Sequence, residues 1–185
     1  LVPCLFLAGA LWLQGEVIAS SGQAAVPASS DNWGLSFPVE GEPPVGNASA
    51  DYLKQYGAYY LGDTSKKTIY LTFDAGYENG YTPAILDALK KHNVKATFFV
   101  VGDWVDKYPE SVKALHDAGH EVMNHSLHHD HYNALTADQV VADVTACNEK
   151  IAAITGVTPC LIRCPYGEYD DHVISAIRSM GMEPI

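Results

Sequence analysis

The sequence predicts an α/β domain built around a parallel sheet, either open or closed into a barrel. Three observations predict it. From Asp51 onward short apolar runs alternate with stretches of helical periodicity, and that alternation calls for parallel strands joined by crossover helices. Helix start and stop residues fall between the runs rather than within them. Polar residues of catalytic type stand at the carboxyl ends of the runs, where such folds collect their chemistry: Asp74, His125 and the segment at Arg163.

The elements follow in order. Thr68 to Phe73 reads as the first strand. Thr82 then caps a helix with Pro83 at its first position, where the missing proline N–H costs nothing, and Ile85, Leu86 and Leu89 turn inward. Ala96 to Val101 is the second strand, and a helix near Pro109 to Ala118 follows, ended by Gly119. Glu121 to Asn124 is a short third strand. The clearest helix comes next: Thr136-x-x-Gln139 is a capping box, and Val140, Val144, Cys147, Ile151 and Ile154 recur at helical spacing until Gly156. Leu161 to Arg163 is the fourth strand. Val173, Ile174, Ile177 and Met180 mark a last helix closed by Gly181, and the tail MEPI reads as a fifth strand.

Length allows one ordinary domain plus extensions across 185 residues. A formal charge of −11 argues against nucleic acid and anionic membrane surfaces as partners, because both need clustered Lys and Arg. Nothing points to a specific protein partner. The opening LVPCLFLAGALWL is apolar over 13 residues, short of the roughly 20 that span a bilayer but suited to the core of a signal peptide. Residues 1–25 therefore read as part of a signal sequence, with an uncleaved membrane anchor as the alternative, and the protein is expected to be exported. Residues 26–66, rich in Ser, Gly, Ala, Pro, Asn and acids in their first half, read as a linker and extension. Export permits disulfides. Cys160 and Cys164, four apart in an extended stretch, are too far apart to bond each other, and the cysteines read as small packed hydrophobes.

Chemistry concentrates in three segments. In NHSLHHDHY, Asn124 to Tyr132, four of the eight histidines fall within seven positions. If that turn is helical, His125 and His129 share a face with β-carbons about 5–6 Å apart, suited to gripping one divalent ion. His128 and His131 form an alternative pair between which spacing does not choose. Asp74 ends an apolar run, a place for a turn residue as much as for a catalytic carboxylate. Glu78, four residues on, allows a two-carboxylate glycosidase reading. In RCPYG an arginine leaves a strand into a proline turn, where it can pair with Asp74 while the turn's N–H groups face an oxyanion.

Together the segments resemble the polysaccharide deacetylases, the NodB-homology carbohydrate esterases of family 4. TFDAG stands against that family's TFDDG, HSLHH against its H-S/T-x-x-H, and RCPYG against its R-x-P-Y/F-G. The stretch YGAYYLGDTSKKTIYLTFDAGYENGYTP is most similar to the delta-lactam-biosynthetic branch, which removes acetyl groups from N-acetylmuramic acid in spore cortex peptidoglycan. The resemblance implies a distorted (β/α) barrel over residues 67–185, truncated after about five strands, with later motifs, including one that supplies a catalytic histidine, to follow. It implies Asp74 as general base toward a metal-activated water, His125 and His129 as ligands of zinc or a similar ion, and Arg163 as the residue orienting Asp74. Tyr166 would offer its N–H to the oxyanion, and Tyr166 with Gly167 would meet the glycan. Where the family usually has a second Asp as metal ligand this chain has Ala75, a side chain that cannot coordinate.

Overall fold

The computed structural model describes residues 34–185; the signal or anchor segment expected at residues 1–25 lies outside them. Among the described residues no helix is long and apolar enough to cross a membrane.

Five parallel strands form the sheet: β3 (Thr72–Ala75), β4 (Thr97–Val100), β5 (Glu121–Asn124), β6 (Leu161–Ile162) and β7 (Glu183–Pro184), in that spatial order. A small antiparallel pair, β1 (Leu35–Ser36) and β2 (Val45–Gly46), precedes them. Helices α2 (Thr82–Lys91), α3 (Gly102–Lys107), α4 (Pro109–Asp117), α5 (Ala137–Thr155) and α6 (Asp171–Ser179) make the crossovers. Strands that pair in sequence order, each through a helical crossover, wind one wall of a (β/α) barrel.

Pleating sorts the core. Phe98, Val100 and Val122 turn toward the helices and pack with Leu89, Trp104 and Ile151, among others, while Phe99, Met123 and Leu161 cluster on the opposite, inner face. Each such side chain, once buried, contributes about 1.5–3 kcal/mol. The capping box on α5 forms with both of its bonds, and Gly156 ends the helix at φ +73. Asp170 caps α6 by accepting from the His172 and Val173 N–H groups.

The first strand differs from expectation. It runs from Thr72 to Ala75 rather than from Thr68, because β4 begins only at Thr97 and gives earlier residues no ladder to join; Ile69 is 91% exposed. Asp74 therefore lies within the strand. Thr82 is not the cap of α2 but its first residue. Tyr81 holds the cap position without a side-chain bond, and the Thr82 hydroxyl turns back to Glu78. Helix α3 was not foreseen. Cys147 and Cys164 are buried free thiols, pushed up to about 12 by burial, whereas Cys160 is disulfide-bonded.

Within the stretch read as linker and extension, α1 (Ala50–Gln55) is capped by Ser49 and buries Leu53, with Ala58 just beyond it. The segment docks on the far edge of the sheet, where the Tyr59 N–H donates to the Pro184 carbonyl at 3.1 Å. Gly57 makes the approach possible. At φ +66 it faces the Arg178 guanidinium so closely that a β-carbon would lie 2.6 Å from Cζ.

Candidate active site

Period-two pleating brings the predicted residues together. Asp74 is in register with Phe99, and Phe99 with Met123, so the three share the inner face. Two residues beyond Met123 is His125, two beyond Leu161 is Arg163, and two before Asp74 is Thr72, all on that face. The ladder continues past the strand ends, with the His125 N–H donating to Val100 O and the Arg163 N–H to Asn124 O, each at 3.0 Å. Three distant pieces of chain thus meet at the carboxyl end of the sheet.

The guanidinium of Arg163 lies over the Phe99 ring, 4.4 Å from its centroid, and its Nη1 donates to Asp74 Oδ1 at 2.8 Å and to Thr72 Oγ1 at 3.1 Å. A planar cation held on a buried ring and by a hydroxyl leaves the carboxylate one orientation. His125 Nδ1 stands 2.7 Å from the Arg163 carbonyl. A carbonyl only accepts, so the proton sits on Nδ1 and Nε2 keeps its lone pair. Burial pulls the His125 pKa down, against the upward pull of that carbonyl and of Asp74. The imidazole is therefore neutral at neutral pH, the form that binds metal.

His129 joins His125 with ring centroids 4.9 Å apart at 75°, but not through the helical turn that their spacing suggested. The segment is a bend in which Ser126 and His129 take φ +72 and +61. Side chains template it. Asn124 Oδ1 accepts from the Ser126 N–H at 2.7 Å, and Ser126 Oγ from the His129 N–H at 2.8 Å. Asp143 Oδ1 accepts from the Leu127 N–H at 2.9 Å and the Tyr132 hydroxyl at 2.5 Å. Local side-chain bonds of this kind offer the backbone an alternative to helix. The rival histidines separate: His128 pairs with Asp103 and His131 with Glu168, each at 2.8 Å.

Tyr166 and Gly167 sit in a single turn at Pro165–Gly167, with φ +57 and +65. The Gly167 N–H donates to Cys164 O and the Glu168 N–H to Pro165 O, which leaves the Tyr166 N–H outside the turn's own bonds. The Tyr166 ring stands edge-on to His129 at 4.5 Å, so this turn borders the histidine pair. Glu78 does not join the site as a second acid. Its carboxylate accepts from the Gly80 N–H at 2.6 Å and from the Thr82 hydroxyl, and its pKa is lowered, chiefly by Thr82. A carboxyl held ionised in a turn is a poor proton donor.

The donor set fits a divalent ion as two imidazoles. The tautomer of His125 is set by its backbone partner, and the His129 ring lies edge-on beside it, centroids 4.9 Å apart. A tetrahedral ion needs two donors more. Ala75 follows the outer row with Val100 and packs against the helix-side core. Among the described residues no three His, Cys, Asp or Glu side chains cluster as a metal group.

Sequence reasoning missed the residues that hold the site: Thr72, Asn124, Asp143 and Asn148. Two of them carried a signal. Asp143 and Asn148 stand on the apolar face of α5, beside Val140, Val144 and Cys147, and both are buried. A polar residue at an apolar register position has a partner to satisfy. Here Asn148 Oδ1 accepts from Asn124 Nδ2 at 2.8 Å.

Comparison with known proteins identifies the family. The family profile described as polysaccharide deacetylase matches residues 61–185. Peptidoglycan-N-acetylmuramic acid deacetylase PdaA of Bacillus subtilis is 42% identical over 174 residues, covering 91% of this chain. Peptidoglycan-N-acetylglucosamine deacetylase of Bacillus cereus is 37% identical over 63% of the chain. The chain spans 66% and 42% of those relatives' lengths. The solved structure of B. subtilis PdaA, described as a family 4 carbohydrate esterase, superposes with a TM-score of 0.80 over 86% of this chain and 69% of that one, at 42% identity. Wild-type BA3943 of Bacillus anthracis, described as a family 4 pseudoenzyme, gives 0.67 over 69% of this chain and 46% of that one, at 35% identity. With the profile covering most of the chain and three motifs meeting on one sheet face, the chain belongs to the polysaccharide deacetylase family.

Proposed function

We propose that the protein hydrolyses N-acetyl groups of cell-wall glycan, with N-acetylmuramic acid of peptidoglycan as its substrate and the spore cortex as its place of action. One observation carries the reading: the Asp74–Arg163 ion pair shares the inner face and the carboxyl sheet edge with His125, whose ring His129 adjoins. The similarity to a muramic acid deacetylase over 91% of the chain directs it to that sugar. A substrate outside the cell requires export, in keeping with the apolar opening.

The residues divide the work. Asp74 accepts a proton from water as its oxygen bonds to the acetamide carbon, and a base placed there is worth about 10²–10⁴-fold. Arg163 keeps that carboxylate aimed. The carbonyl oxygen gains charge, and the Tyr166 N–H donates to it. The C–N bond then breaks, acetate leaves, and the proton taken by Asp74 balances the one that the amine requires, directly or through a second acid. His125 and His129 are the residues that would hold a divalent ion, which when bound would lower the pKa of water and polarise the carbonyl.

Ala75 and the likeness to a pseudoenzyme favour a second reading, a glycan-binding module without catalysis. Acetate release by the full-length protein separates the two. Wild type and Asp74→Asn are compared on muropeptides and on chitin oligomers, with and without chelator. Release from muropeptides by wild type alone is expected. Equal background release from both proteins on every glycan leaves only the binding module.

A further inference from the structure

Tyr166 takes φ +57, the left-handed region where the β-carbon of an L residue crowds its own carbonyl oxygen. Gly167 beside it enters that region freely. A tyrosine needs something to hold it there. Its ring is flanked by two imidazoles: His129 edge-on at 4.5 Å and 68°, and His131 stacked at 4.0 Å and 6°. His131 is itself fixed, with Nδ1 at 2.8 Å from Glu168 Oε2. Its neighbour Tyr132 is fully buried and donates to Asp143. Glu168 lies two residues beyond Tyr166, so the pair closes a ring of contacts around the turn. The metal and base roles use His125, His129 and Asp74 and leave His131 and Glu168 without a task.

We propose that His131, backed by Glu168, is a positioning residue: it clamps the Tyr166 ring, holds the backbone left-handed and thereby aims the Tyr166 N–H at the oxyanion. This rests on the deacetylase reading for its catalytic consequence but not for its conformational one. Releasing the clamp lets Tyr166 relax to negative φ and turns the N–H away. A catalytic group displaced by about 1 Å costs roughly 10²-fold in rate, so kcat falls on that scale, while KM moves only as far as the glycan contacts of Tyr166 and Gly167 shift with the turn.

The test uses the full-length protein with His131→Ala, His131→Phe, Tyr166→Gly and the double variant Tyr166→Gly/His131→Ala. The His131 side chain is 57% exposed and Tyr166 is 51% exposed, so these variants leave the core alone. His131→Ala is expected to lower kcat, and His131→Phe, which keeps the stack, to restore most of it. In the Tyr166→Gly background, where glycine needs no clamp, adding His131→Ala is expected to change nothing. The backbone coupling constant and carbon shifts of Tyr166, read by NMR on tyrosine-labelled protein, report φ whether or not acetate is released. Positive φ in wild type and its loss in His131→Ala support the clamp even in a protein that proves inactive. Positive φ retained in His131→Ala, or wild-type kcat in that variant of an active protein, overturns it.

Discussion

The carboxylate of Asp143 carries the sharpest stability prediction. It is 9% exposed, on the apolar side of α5, and accepts from the Leu127 N–H and the Tyr132 hydroxyl, which bracket the bend that holds His129. Asp143→Ala leaves both donors without a partner. Each buried donor so abandoned costs about 1–3 kcal/mol; the Leu127 amide is only part-buried, which puts the sum near the lower half, about 3 kcal/mol. For a chain of this size that is a fall in melting temperature of about 6–12 °C. Asp143→Asn keeps an acceptor but loses the charge that roughly doubles such bonds, and should cost about 1 kcal/mol. Tyr132→Phe keeps the ring and loses the hydroxyl, again about 1 kcal/mol. Urea unfolding of the two single variants and the double variant Asp143→Ala/Tyr132→Phe completes a cycle. Because the two side chains share one bond, the double variant should cost less than the sum by at least about 0.5 kcal/mol. Strict additivity, or an Asp143→Ala variant within about 0.5 kcal/mol of wild type, would refute the claim that this carboxylate templates the bend.

Other outcomes follow from the same geometry. Arg163→Lys, a point cation without a fork, should lower kcat for acetate release by about 10²-fold with folding intact, as expected when a base loses its aim; unchanged kcat would mean that the guanidinium does not orient Asp74. Glu121 has a buried Oε2 without a partner, and burial raises its pKa. Its folded pKa lies above the unfolded value, so stability is full below about pH 4.5 and is lost as pH rises through the folded pKa. Glu121→Gln should therefore melt higher than wild type at pH 7 and equal it at low pH; a lower melting temperature at pH 7 contradicts this. His125 runs the opposite way. Burial lowers its pKa, the unfolded chain takes up the proton first, and stability should decline as pH falls below about 6.5. His125→Gln should flatten that decline in a melting series from pH 7.5 to pH 5 run in chelator, and an unchanged slope would exclude His125 as its source.

Much of the fold was legible because its signals are local and redundant. Alternating runs, the Thr136/Gln139 capping box and the glycine stops at 119, 156 and 181 each mark a boundary independently, and positive φ at all three glycines accords with them. Helix α3 escaped because six residues of GDWVDK carry no cap side chain and too few turns for a period. The site was legible as three motifs at strand ends, since the two-residue pleat determines which side chains share a face. How His125 and His129 meet was not. Spacing of four suggested a helix, while the observed bend depends on Asn124, Ser126 and Asp143, whose partners lie up to 16 residues apart in the chain. Side-chain bonds to the backbone, two of them local and one across 16 residues, leave no periodicity to read. The same holds for His131, whose partners Tyr166 and Glu168 come from the next loop.

The convergence of Asp74, His125, His129 and Arg163 on one reacting centre is tested most directly by anomalous diffraction at the zinc edge from crystals of the full-length protein grown with zinc. One strong peak is expected in contact with His125 Nε2 and the His129 ring, with the Asp74 carboxylate, still paired to Arg163, facing it. A peak lodged instead at His128 or His131, or an Asp74 side chain turned away from an ion bound by His125 and His129, would contradict it.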